Sequence, residues 1–91
     1  MNSKEEIAKT FEEVKKIIEE IKESNDESFA NSKWNPLVKH LFYLRECNKD
    51  EYYKNYENGV KEYADSLELV KSLEEKYPSF VDYVLKFIHE R

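Results

Sequence analysis

His40 and Cys47 stand seven residues apart, which sets both near one face of a helix. An imidazole that takes a thiol proton is the raw material of nucleophilic catalysis. No third group has a convincing orienting role, and the chain's single glycine leaves neither a Gly-built oxyanion loop nor a phosphate-cradling loop. His40 and His89 could hold a metal with nearby carboxylates. Neither belongs to a His-Glu-x-x-His spacing, so both read as surface or helix-end residues. One cysteine excludes an internal disulfide and a four-Cys zinc site. The expectation is a protein that is not an enzyme and carries no cofactor and no metal.

Charge offers a second chemistry. Glu5-Glu6, Glu12-Glu13 and Glu19-Glu20 recur every seven residues. On a helix they form two acidic rows whose successive members lie about 10.5 Å apart. One row is Glu5, Glu12 and Glu19. It reads either as a solvated face interleaved with Lys9, Lys15, Lys16 and Lys22, or as a face that engages a basic partner or mimics a nucleic-acid backbone. The 91 residues carry 20 acidic and 15 basic side chains, a net charge of −5. Residues 1–33 are net −3, residues 34–49 net +2 and residues 50–91 net −4. This balance argues against direct nucleic-acid binding and against anionic membrane surfaces. No apolar run approaches the ~20 residues of a membrane span. A partner steered by charge is expected to present a basic surface. The lone thiol fits a reducing, cytoplasmic compartment.

The aromatic residues are the third candidate. Seven Tyr, five Phe and one Trp exceed what a core of this size can hide. Exposed Tyr and Trp bury large areas at low side-chain entropy cost, which makes them favoured binding anchors. Trp34 precedes a helix cap in a polar loop, while Tyr43, Tyr52 and Tyr83 lie off the apolar stripes or at their edges. The expected partner-binding face joins Trp34, Tyr43, Tyr52 and Tyr53, with Glu5, Glu12 and Glu19 supplying charge.

The elements that must position these residues read as helices. Ser3-Lys4-Glu5-Glu6 is a capping box. Ile7, Phe11, Val14, Ile17, Ile18 and Ile21 then follow in steps of mostly three and four, predicting a helix over 3–23. Glu5–Lys9 and Glu12–Lys16 would support it as i,i+4 pairs. Residues 24–33 lose the pattern and read as a loop, since Asn, Asp and Ser side chains compete with helical bonds. Phe29 should tuck beneath that loop. Asn35-Pro36 reads as cap and first position of a helix over 36–46.

Tyr53, Tyr56, Val60, Tyr63, Leu67, Val70 and Tyr77 then keep a three-four rhythm that only Glu74 breaks, with Ala64 and Leu73 widening the stripe. They predict one continuous or mildly kinked helix over 49–76, across Gly59. Tyr77-Pro78 should end it. Ser79 would cap a last helix with Phe80, Val81, Val84, Leu85, Phe87 and Ile88 inward. No stretch alternates with the period of two that marks a strand.

Ser66-Leu67-Glu68-Leu69, leading to Pro78-Ser79-Phe80 and Tyr83, resembles a stretch of Rho-type guanine-nucleotide exchange (Dbl homology) domains. The likeness covers 30 of the 91 residues. The flanking helices that carry exchange in that family are not recognisable, and no functional residue is carried over.

The expected fold is all-α: a single domain over 1–91, an antiparallel bundle of four helices, two long and two short. The expected function is a non-enzymatic protein–protein interaction module that binds and modulates or inhibits a larger protein. Self-association through a coiled-coil-like stripe and capture of a DNA- or RNA-binding protein by the acidic rows are the alternatives.

Overall fold

The computed structural model describes residues 4–47 and 60–89. These residues are largely helical and contain no strand. They form five helices, one more than expected: α1 (Lys4–Glu23), α2 (Glu27–Ser32), α3 (Trp34–Glu46), α4 (Lys61–Lys71) and α5 (Pro78–His89). Ser3, Tyr52, Tyr53 and Gly59 lie outside the described residues.

Helix α1 forms as its periodicity requires, with Ile7, Val14, Ile17, Ile18 and Ile21 buried in the core. Phe11, expected on the same stripe, is half-exposed, and Lys15 Nζ sits 4.9 Å from its ring centre. Glu12 pairs with Lys15 at 2.8 Å, one position short of the expected Lys16.

The expected loop over 24–33 contains α2. Asp26 holds an extended backbone (φ −118°, ψ 114°), and its Oδ1 accepts the Ser28 amide at 2.9 Å. The side chain read as competing with a helix starts one instead. Ala30 is fully buried and Phe29 packs half-buried on the core, as expected beneath this segment.

Lys33 (φ −95°, ψ 0°) ends α2 and opens α3 without a break in handedness. Helix α3 therefore begins at Trp34 rather than after Asn35. Pro36 falls within its first turn, where a missing N–H leaves no intrahelical bond unmade. Trp34 is thus a helical residue and not a loop residue.

The predicted helix over 49–76 does not run unbroken. Val60 is extended (φ −75°, ψ 165°), and its carbonyl accepts the Tyr63 and Ala64 amides, so α4 begins afresh at Lys61. It stops at Lys71, followed by tight turns in which Leu73 and Tyr77 stay buried. The buried series is Val60, Tyr63, Ser66, Val70, Leu73 and Tyr77. Its steps of three and four are complete once Ser66 is counted as a core position. Ala64, expected to widen the stripe, faces solvent.

Helix α5 opens at Pro78, with the Tyr77 carbonyl accepting the Val81 amide at 3.1 Å, so the cap falls two residues ahead of the expected Ser79. Phe80, Val81, Val84 and Ile88 are buried. Leu85 and Phe87, also expected inward, are half-buried.

Helix α3 is the hub, packing against α1, α2, α4 and α5. Across the chain, Lys76 Nζ donates to the Lys22 carbonyl at 2.7 Å and Tyr77 Oη donates to the Ser24 carbonyl at 2.9 Å. Both acceptors belong to the C-terminal end of α1, where carbonyls lack intrahelical donors.

Candidate protein-docking face

Helices α3 and α5 meet along a seam of rings. Trp34 at the start of α3 stacks on Tyr83 of α5, with centroids 5.1 Å apart and planes at 19°. Its other neighbour is Phe87, at 4.9 Å and 73°. Phe42 in turn meets Phe87 edge-on at 5.5 Å. Helical spacing makes this row. Trp34 and Phe42 are eight residues apart and Tyr83 and Phe87 four, so each pair shares a face of its helix. Farther along the seam, Arg45 lies 5.9 Å from the Phe42 ring centre and donates from Nη1 to the Ile88 carbonyl at 2.7 Å. It satisfies a carbonyl at the C-terminal end of α5, where a cation is also favoured.

The rings are not sealed. Trp34, Phe42 and Phe87 are half-buried against the core. Tyr83 is 60% exposed, and among the described residues it is the one large apolar or aromatic side chain that stands mostly in solvent. Trp34 Nε1 is itself buried and has no hydrogen-bond acceptor among the described residues. Such a group carries a desolvation cost that a bonded indole does not.

Tyr43 belongs to a different face. Nine residues after Trp34, at about 100° per residue, it points to the opposite side of α3. There Tyr43 Oη donates to Glu6 Oε2 of α1 at 3.0 Å. Burial, the bond to Glu6 and the proximity of Cys47 push its phenol up to about 12. Burial also raises the Tyr63 phenol, with Arg45 acting the other way. Glu5, Glu12 and Glu19 are exposed along α1. The structure therefore does not bring Trp34 and Tyr43 together: Trp34 looks to α5 and Tyr43 to α1, while Tyr52 and Tyr53 lie outside the described residues. Tyr83 was visible in the sequence as an off-stripe residue. Phe87, expected inward, and Phe42 complete the seam.

Cys47 is fully buried at the end of α3, in reach of Tyr43 rather than of solvent. Among the described residues no three His, Cys, Asp or Glu side chains cluster as metal ligands, and no helix is long and apolar enough to cross a membrane. No protein-family model, curated protein or solved structure matches the chain, so the Dbl-homology likeness of residues 56–85 has no counterpart there.

Proposed function

We propose that the protein is a non-enzymatic interaction module that docks onto a larger protein and modulates or inhibits it through the α3–α5 aromatic seam. The observation that carries this reading is Tyr83, a mostly exposed ring stacked on a half-buried tryptophan. A rigid aromatic pair at a helix seam loses little side-chain entropy on binding and offers a large apolar area. We read the four longer helices as an antiparallel bundle that holds the seam, with α2 forming the α1–α3 connection. A cytoplasmic setting remains part of the proposal.

A pull-down with the intact protein tests it. A protein captured by the wild type should be lost with Tyr83→Ser, and it should be retained when Glu5, Glu12 and Glu19 are changed to Gln. Tyr83→Ser removes little from the core, so folding is not at stake. Loss with the glutamate variant and retention with Tyr83→Ser would move the interface to α1. That outcome favours a basic partner or a nucleic-acid-binding one. The exposure of the Glu5–Glu12–Glu19 row keeps this second reading in view.

A further inference from the structure

Charge is distributed so that the aromatic seam lies on the two helices that are not negative. By their own residues α1 is net −2, α2 −1 and α4 −1, whereas α3 is net +1 and α5 is neutral. Resting on the docking reading above, we propose that the α3–α5 seam receives an acidic amphipathic segment of a partner protein. Its apolar side chains would seat on Tyr83, Trp34 and Phe42, and its carboxylates would reach Lys39 and Lys86.

The placement of the two lysines supports this. Lys86 follows Tyr83 by three residues on α5, and Lys39 precedes Phe42 by three on α3. Each therefore neighbours a seam ring on its own helix surface. Both are exposed. Lys15, Lys33, Lys61 and Lys71 pair with Glu12, Glu20, Asp65 and Glu68. Lys39 and Lys86 form no ion pair among the described residues. Arg45 adds a third cation beside Phe42, held by the Ile88 carbonyl. The acidic residues on these two helices are Asp82 and Glu46. A basic segment seated on the rings would meet three cations, Lys39, Lys86 and Arg45, against two carboxylates, Asp82 and Glu46, and this net positive set opposes its association. The basic partner expected from net charge alone suits α1, not this seam.

The single tryptophan makes the test direct, because Trp34 emission reports on the seam itself. Three short helical peptides share leucines at i, i+3, i+4 and i+7 and carry Glu, Gln or Lys at the outward positions. Each is titrated against the full chain at low salt. The expected result is a shift in Trp34 emission and an affinity for the Glu peptide about tenfold above that for the Lys peptide. The advantage should fall toward unity in a Lys39→Gln, Lys86→Gln double variant and at high salt. Equal affinities, a preference for the Lys peptide, or an advantage untouched in the double variant overturns the acidic occupant while leaving a docking seam. Failure of all three peptides to bind or to change the emission overturns the seam as a docking face as well.

Discussion

Tyr83 covers Trp34: the two rings lie 19° from parallel with 5.1 Å between centroids, and the phenol is the outer of the two. The indole N–H beneath finds no acceptor among the described residues. One ring thus serves the fold from inside while its neighbour faces outward.

Tyr83→Ala should uncover the indole. The expected outcome is a red shift of Trp34 emission and a stability loss of about 0.5–1.5 kcal/mol in urea unfolding, the usual range for an aromatic pair. Unchanged emission would mean that the two rings do not stack in solution.

Ser66 is fully buried on α4, and its hydroxyl has no hydrogen-bond partner among the described residues. Removing an unsatisfied hydroxyl removes its desolvation cost. Ser66→Ala should therefore be neutral or stabilising by up to about 1 kcal/mol. Ser66→Leu should destabilise by about 1–3 kcal/mol through overpacking. Urea midpoints that place Ala well below wild type would show that the hydroxyl is bonded.

Arg45 reaches across the seam to the Ile88 carbonyl. Hydrogen bonds to charged groups contribute about 1.5–3 kcal/mol. Arg45→Met keeps much of the stem over Phe42 and removes the donor. It should lower stability by about that amount and speed amide exchange over 86–89 before it does so in α1. Uniform acceleration along the chain would argue against a local role.

Tyr43 gives a pH signature. Its phenol is neutral in the folded state up to about 12, above the ordinary value of 10.0. The folded protein therefore holds this proton more tightly than the unfolded chain. The associated stability is complete below pH 10 and is lost as pH rises toward 12. Two pH units correspond to at most about 3 kcal/mol, reduced by the exposure of the Tyr43–Glu6 bond. Tyr63 shifts the same way. Thermal melts of Tyr43→Phe should fall less steeply than wild type between these limits; parallel slopes would assign the effect to Tyr63.

Much of the helical content was legible because amphipathic spacing is a local property. Ile7 to Ile21 and Phe80 to Ile88 name their elements and most of their buried faces directly. The boundaries were less legible where one residue type can act two ways. Asp26 could compete with a helix or cap one, and its extended backbone, not its identity, decides. Ser66 hid the three-four rhythm of α4, because a buried hydroxyl does not register as apolar. The seam was half legible. Tyr83 stood off its stripe, but pairing it with Trp34 requires knowing that α3 and α5 touch, and that is a long-range fact.

The hydrogen bonds that tether helix α5 and its approach all end on main-chain carbonyls, acceptors that every residue has. Lys76 and Tyr77 anchor its approach to the carbonyls of Lys22 and Ser24, and Arg45 holds the carbonyl of Ile88. None of these tethers uses an α5 side chain. The outward residues Asp82 and Lys86 can accordingly be exchanged without loosening the mooring, and Tyr83 at the modest cost of its stacking on Trp34, so a lineage could retune what the surface grips while keeping its frame.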